Sequence, residues 1–461
     1  MNALLAGLRP LLGDDGILLG EEVSSRSAGI WRDDSVQARA ILRPASTEQV
    51  ADVLRMCHAA GQRVVTHGGL TGLSEGAIAT PDDVVLSTER MTAIESVDTV
   101  NRTLQLQAGV RLQAAQDAAD QAGLQLALDL GARGSCTVGG NAATNAGGNN
   151  VLRYGMAREQ ILGLEAVLAD GTVVSSLNGM LKNNAGYDLK QLFIGTEGTL
   201  GVITRLILRL RPACTTRETA LLACDEFARI PQLLRLLDSR LSGTLTAFEV
   251  MWNDYYSLVA RDRQPLADGF SYYVLVEAQG NDSQRDSDRF LSAVEHALTE
   301  GLAADAMIAQ SGRERNELWA IRESVELTLE DGPAMIFDVG LPLSAMESYL
   351  AEVRRQLRDE WGSAHRLSVF GHAGDGNLHL VVAAGDGTSA AQLRIERCVY
   401  EPLADAGGTV SAEHGIGLEK KQWLSICRNP AEIAVMRKLK AALDPRGILN
   451  HGRIFSADDE P

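Results

Sequence analysis

Along residues 46–61, STEQVADVLRMCHAAG, the apolar Val50, Val53, Leu54 and Cys57 recur on one helical face. Ser46 and Gln49 read as a capping box before that face and Gly61 as its stop. RVVTHGGLTGL then reads as a strand feeding a glycine turn, a second helix closes at Gly123, and the strand-like VLAD runs into the turn residues Asp170 and Gly171. From about residue 215 glycine thins out and longer amphipathic stretches take over. RDSDRFLSAVEHALTEGL (285–302) and SAMESYLAEVRRQLRDEWG (344–362) have helical spacing, the second with Ser344 and Glu347 as a capping box and Gly362 as its end. SYYVLVEAQ (271–279) is a strand between such helices, and a last helix starts at the N-cap Asn429 with Pro430 and stops at Asp444 and Pro445. No fixed-period repeat and no low-complexity linker interrupts the pattern, which predicts closely packed α+β domains.

Length and charge narrow the picture. At 461 residues, 45% hydrophobic and 22% charged, the chain is globular and too long for one core. A net charge of −17 argues against a nucleic-acid or anionic-membrane partner, while small acidic substrates stay compatible with a local basic pocket. Residues 1–20, MNALLAGLRPLLGDDGILLG, read as an amphipathic helix, not a signal peptide, and no run reaches the ~18 apolar residues of a spanning helix. The six cysteines form no CxxC pair, so a soluble protein of the reducing cytoplasm is expected.

Candidate chemistry begins with three glycine-rich stretches, HGGLTGLSEGA (67–77), GARGSCTVGGNAATNAGG (131–148) and GTEGTLG (195–201). Such loops let successive N–H groups converge on an anion such as pyrophosphate, with Thr71, Ser74, Thr137, Thr144 and Thr199 as extra donors. One loop alone would read as a surface turn; three in one region favour a nucleotide site. Neither GxGxxG after a strand nor GxxxxGK[ST] occurs, which argues against a Rossmann site or a P-loop. In the second half, FGHAGDGNLHL (370–380) places His372 and His379 around a glycine turn, and SAEHGIGLEK adds Glu413 and His414. Two imidazoles alone are an incomplete metal site, so the residues leave two readings: a site completed by a third ligand, or a hydrogen-bonded structural pair.

THGGLTGLSEGA, CTVGGNAATNAGG and NNAGYDLKQLFIGTEGTLGVIT, in that order, resemble the FAD-binding half of the vanillyl-alcohol oxidase and p-cresol methylhydroxylase superfamily. GHAGDGNLHL, SAEHGIGLEK and DPRGILNHGRIF are similar to its D-2-hydroxyacid dehydrogenase branch, which holds D-lactate and D-2-hydroxyglutarate dehydrogenases and the glycolate oxidase flavin subunit. The resemblance implies an α+β fold in three parts: a two-subdomain FAD-binding domain (1–214), an α+β substrate or cap domain (215–415), and a short helical C-terminal segment (416–461) packing back on the first. It implies that residues 67–74 and 131–148 hold the FAD pyrophosphate and adenosine and that 183–201 line the flavin. The residues it marks for FAD are His67, Gly68, Gly69, Leu70, Thr71, Gly72, Leu73, Ser74, Gly134, Ser135, Thr137, Gly139, Gly140, Asn141, Thr144, Asn145, Gly147, Gly148, Gly198, Val202 and Asn450. Relatives that attach FAD through the first loop carry a histidine after the Gly-Gly pair. Leu70 stands there, so FAD is expected to be non-covalent, with His67 a wall residue.

By the same resemblance His372, His379 and Glu413 bind a divalent metal, zinc first with manganese or iron as alternatives, and His414 is the catalytic base. A 2-hydroxy acid chelates through hydroxyl and carboxylate, so one open metal position would orient it and acidify its hydroxyl. Arg322 would clamp the substrate carboxylate, against the alternative of a solvated helix charge paired with Glu326. Asn377 would donate to that carboxylate or else cap its turn. The hydroxyglutarate dehydrogenases have a threonine where this chain has Glu326 and a lysine where, allowing one gap, it has Ile336. An acidic and an apolar residue receive a second carboxylate poorly, so a monocarboxylic D-2-hydroxy acid is expected. Alternatives are a D-2-hydroxyglutarate dehydrogenase, the flavin subunit of a glycolate-oxidase-like complex, and a metal-dependent hydrolase. The expected partners are a small 2-hydroxy acid and an electron acceptor such as an electron-transfer flavoprotein or a quinone, and a homodimer is admitted.

Overall fold

The computed structural model describes residues 2–30, 32–330 and 332–456, and divides into two compact units. One comprises residues 1–148, 155–213 and 413–461; the other comprises 149–154 and 214–412. The first unit is therefore assembled from both ends of the chain.

Its strands are β1 (Ile17–Leu18), β2 (Ala40–Leu42), β3 (Val64–His67), β4 (Val84–Ser87), β5 (Ile94–Asp98), β6 (Thr103–Gln107), β7 (Leu124–Gln125), β8 (Ile161–Val167), β9 (Val173–Ser176), β10 (Val202–Arg209) and β11 (Arg211–Pro212). A four-stranded sheet in the order β1-β2-β4-β3 pairs β4 in parallel with both β2 and β3. A five-stranded antiparallel sheet runs β5-β6-β10-β8-β9, and β7 pairs with β11. The helix Thr47–Ala60 begins where its pattern predicts, because the Ser46 side chain accepts from Gln49 N–H, and it ends at Gly61 in the left-handed region. The Gln49 side chain reaches back one residue further than a capping box requires, accepting from Ala45 N–H. Val50, Val53, Leu54 and Cys57 from that helix share a core with Leu4, Leu8 and Leu12 of the first helix and with Ile448 and Leu449 from the far end of the sequence.

The C-terminal part is fastened by charge as well as by packing. The helix Pro430–Leu443 has the predicted Asn429 cap, completed as a capping box by Glu432. One turn before its end, buried Lys440 gives its ammonium hydrogens to Asp444 Oδ2 at 2.7 Å, Leu449 O at 2.8 Å and Thr199 O at 3.1 Å. All three donors of a buried ammonium are thus satisfied, which such burial requires. Val64 N–H donates to Ile448 O, and Asn450 N–H donates to Val64 O, laying the tail beside β3.

The second unit is built on one seven-stranded antiparallel sheet of β12 (Thr216–Cys224), β13 (Leu245–Trp252), β14 (Tyr272–Gly280), β15 (Asp305–Ile308), β16 (Ala334–Gly340), β17 (His365–Gly371) and β18 (Asn377–Ala384), in the order β15-β12-β14-β13-β17-β18-β16. Every residue of β13 and β14 is buried, so both faces of the sheet centre are covered, and their near-continuous apolar runs suit that. The helix foreseen over 285–302 runs Ser283–Thr299. The one foreseen from Ser344 starts at Met346 after a 3₁₀ turn, Leu343–Ala345, and its predicted capping box is not formed. Glu347 Oε2 instead accepts from Tyr272 O–H at 2.6 Å, a tertiary contact that outcompetes the local one.

Candidate functional site

In the first unit a cavity of about 320 Å³ opens among the three glycine loops. Residues 67–74 all line it, with Thr137, Gly139, Gly140, Asn141, Thr144, Gly147, Gly198, Val202 and Asn450. Gly134, Ser135, Asn145 and Gly148 do not line it. A Cβ on Gly69 would collide with the Ser135 carbonyl, Asn145 takes a left-handed conformation to end the helix Val138–Thr144, and Gly148 N–H donates to Glu413 Oε1 at 2.8 Å. Of residues 183–201 only Glu197, Gly198 and Gly201 reach the wall, and 181–189 are exposed.

Two kinds of glycine meet here. At Gly69 and Gly139 a side chain would strike the protein's own backbone, whereas at Gly72 and Gly131 it would meet nothing within 4 Å. The smallness of Gly72 and Gly131 is thus not demanded by packing within the chain, and it leaves room for a ligand. A cavity walled mainly by glycine, alanine and hydroxyl residues fits a dinucleotide such as FAD.

His67 ends β3 with Nε2 2.8 Å from Ala77 O, and burial pushes its imidazole pKa down to about 4, which keeps it neutral as a wall residue. His414 and Glu413 also line this cavity, which loop composition alone did not foretell. Their segment is tied to two of the glycine loops: Ser74 O–H donates to His414 O at 2.9 Å, and Glu197 accepts from Ile416 N–H and Gly417 N–H at 2.7 and 2.8 Å. Burial raises the Glu197 pKa above the ordinary carboxylate range, partly offset by those two donors. Glu197 was missed because its loop was read for its glycines.

The second unit gathers charge at the β17–β18 turn. Sheet register does the gathering: Val250 of β13 pairs with Gly371, Phe370 of β17 with His379, and Asp338 of β16 with His379. Glu249 and His372 therefore become neighbours, and the rings of His372 and His379 lie 5.5 Å apart at 80°. Each histidine offers a ligand nitrogen within 4.8 Å of the other's, and Asp338 offers an oxygen within that distance of His379. Neutral imidazoles with a carboxylate suit a divalent ion, so the donor set fits. Asp338 is held by Asn377 Nδ2 at 2.7 Å and by Ser411 O–H and Ala412 N–H at 3.1 Å; Glu413 follows Ala412 directly in the chain.

Arg322 is buried on the helix Gly312–Glu323 and pairs with Glu249, Nε to Oε2 at 2.8 Å, with its guanidinium 4.7 Å from the Phe370 ring centre. The solvated pair with Glu326 is thereby excluded: Glu326 is exposed in the 3₁₀ turn Val325–Leu329. Ile336 is half-buried on β16 against the apolar cluster of this unit. Asn377 Nδ2 also donates to Val339 O at 3.2 Å, so its two N–H groups are engaged inside the sheet, while its buried carbonyl oxygen has no partner among the described residues. Glu249 was not foreseen. Burial pushes its pKa upward, but His372 and Arg322 outweigh that and hold it down at about 2.

Comparison with known proteins places this geometry. Residues 38–176 match the family model described as FAD binding domain, and 215–454 the one described as FAD linked oxidases, C-terminal domain. The mitochondrial D-2-hydroxyglutarate dehydrogenase of Bos taurus is 39% identical over 97% of this chain and 82% of its own length. The chain belongs to the FAD-linked oxidases, in their D-2-hydroxyacid dehydrogenase branch. Other members of the branch include a D-2-hydroxyglutarate dehydrogenase of Xanthomonas citri, 38% identical over 92% of this chain and 90% of that one, and a putative mitochondrial D-lactate dehydrogenase of Schizosaccharomyces pombe, 37% identical over 88% and 80%. Among solved structures, p-cresol methylhydroxylase with substrate bound superposes with a TM-score of 0.81 at 16% identity over 99% of this chain and 97% of its own. The 4-ethylphenol oxidase from Gulosibacter chungangensis gives 0.75 at 18%, over 99% and 98%. These likenesses establish the fold of the vanillyl-alcohol oxidase type for this FAD-linked oxidase. Among its described residues no helix is long and apolar enough to cross a membrane.

Proposed function

We propose that this FAD-linked oxidase oxidises a monocarboxylic D-2-hydroxy acid to the 2-oxo acid. The observation that carries the reading is that His414 lines the same cavity as the glycine loops, which puts a base where FAD would be held. Residues 67–74, the helix Val138–Thr144 and Asn450 would hold FAD, non-covalently since Leu70 offers no attachment point. When bound, FAD supplies a two-electron acceptor for the hydrogen on the substrate α-carbon. A divalent ion, zinc in the first place, would be held by His372, His379 and Glu413 and would supply Lewis acidity toward the hydroxyl. His414 takes the hydroxyl proton as general base. Arg322 orients the carboxylate through its outer nitrogens, its Nε being occupied by Glu249. With both N–H groups engaged, Asn377 would reach substrate only by giving up Asp338 or Val339.

The preference for one carboxylate rests on Glu326 and Ile336, neither of which offers a cation. A second reading, D-2-hydroxyglutarate as substrate, is favoured by the names of the relatives in cattle and Xanthomonas citri. Three further points belong to the proposal. The lack of a nicotinamide fingerprint supports an electron-transfer flavoprotein or a quinone as acceptor. Six free cysteines support a reducing compartment, which we take to be the cytoplasm although several relatives are named mitochondrial. Retention of His414 beside the cavity supports an enzyme over a non-catalytic flavin subunit or a hydrolase.

The test is anaerobic bleaching of the protein's flavin absorbance by a panel of D- and L-2-hydroxy acids, before and after chelation. Bleaching by D-lactate and longer apolar D-acids, lost on chelation and restored by zinc or manganese, is expected. Much faster bleaching by D-2-hydroxyglutarate would replace the substrate, and a flavin that no hydroxy acid bleaches would remove the dehydrogenase reading.

A further inference from the structure

The Glu249 carboxylate is placed to set the hydrogen positions of the histidine turn. It sits on β13 among apolar neighbours, 1% exposed, yet both of its oxygens have charged or ring partners. Oε1 lies 2.7 Å from His372 Nδ1 and Oε2 lies 2.8 Å from Arg322 Nε. On the other side of the same ring, His372 Nε2 lies 3.5 Å from Arg322 Nη2.

These two contacts suit one tautomer. An ionised carboxylate only accepts, so Nδ1 must carry the hydrogen; a guanidinium only donates, so Nε2 must present its lone pair. A doubly protonated ring would aim an N–H at a cation. A neutral imidazole protonated on Nδ1 satisfies both neighbours, and it is the form whose Nε2 lone pair a metal would take in place of the long Arg322 contact.

We propose that Glu249 is a positioning residue, one carboxylate that fixes His372 as an Nε2 donor and at the same time fixes the orientation of Arg322. This deepens the proposed function and rests on its reading of His372 as a ligand. The chemistry predicts a difference between two near-isosteric substitutions. In Glu249→Gln the amide oxygen can still accept from Arg322, but its NH₂ then faces His372 Nδ1, reversing the tautomer and putting the hydrogen on Nε2. Glu249→Asp keeps an acceptor-only group and therefore the Nδ1–H form.

The experiment uses full-length, FAD-loaded protein and measures zinc affinity by competition with a chromophoric chelator, alongside flavin content and histidine ¹⁵N shifts of the zinc-stripped samples. Expected are loss of zinc affinity in His372→Ala, a roughly 10- to 100-fold loss in Glu249→Gln with flavin content unchanged, and a smaller loss in Glu249→Asp. The shifts should report Nδ1–H for His372 in the wild type and Nε2–H in the Gln variant. Zinc affinity in Glu249→Gln within about threefold of wild type, with His372→Ala deficient, would overturn the inference and leave the ligand reading standing. Equal losses in the Asp and Gln variants, or wild-type shifts of the Nε2–H form, would also overturn it. Undiminished zinc affinity in His372→Ala would remove the ligand reading and this inference together.

Discussion

The two candidate regions are made of opposite materials. The cavity of the first unit is walled mainly by glycine, alanine and hydroxyl residues, and much of its room comes from where side chains are missing. The histidine turn of the second unit is made of buried polar and charged side chains from four separate stretches: Glu249, Arg322, Asp338 and the pair His372 and His379. A site made of backbone is held by loop conformation and loses little when one hydroxyl is removed. A site made of buried charges is held by mutual neutralisation, and each member is costly to remove.

The sharpest way to break this comparison is His414→Ala, because His414 is a reactive side chain set into the wall of the backbone-made cavity. Turnover of the best D-2-hydroxy acid should fall about 10²- to 10⁴-fold with flavin content and melting temperature unchanged. A loss of FAD in parallel would show that the side chain is part of the cavity's fabric.

Next in size, Arg322→Met leaves Glu249 buried beside His372 without its guanidinium. Urea unfolding should show a loss of about 3–5 kcal/mol. Thr71→Ala, in the cavity wall, should cost within about 0.5 kcal/mol on the same assay. Equal losses would erase the distinction between the two regions.

A smaller effect concerns specificity. Installing Glu326→Thr with Ile336→Lys supplies a cation and a hydroxyl, and the ratio of kcat/KM for D-2-hydroxyglutarate over D-lactate should rise on the order of tenfold, as for one hydrogen bond to a charged group. An unchanged ratio would place the side-chain pocket elsewhere.

The last is a pH effect on the first unit. His67 has its pKa pushed from 6.5 down to about 4, so the folded chain declines a proton that the unfolded chain accepts. The stability this gives is fully present above about 6.5 and is lost as pH falls toward 4, at up to about 1.4 kcal/mol per pH unit. His67→Gln should flatten that limb by about one proton in pH-dependent urea unfolding, and an unaltered slope would mean that His67 protonates in the fold.

What could be read from the sequence follows the same division. Loops that work through glycine announce themselves by composition, and local caps such as Ser46 and Asn429 are decided within a few residues, so they formed as predicted. Ser344 and Glu347 did not, because Tyr272, 75 positions away, takes the Glu347 carboxylate. Gly134, Ser135, Asn145 and Gly148 are read as cofactor contacts from loop membership, and the cavity wall does not include them. Glu249 carried one faint signal: a lone acid in LTAFEVMW, a strand otherwise free of charge. Its partners lie 73 and 123 positions on, and only strand register reveals them.

The discontinuity of the first unit bears on the order of synthesis. Its β3 lies against a tail that Lys440 fastens, and Asn450, in that tail, is part of the cavity wall. On the ribosome these residues emerge after every strand of the seven-stranded sheet. The nascent chain can complete the second unit while the first still waits for residues 413–456, so the wall that includes Asn450, His414 and Glu413 closes only after the seven-stranded sheet has been made.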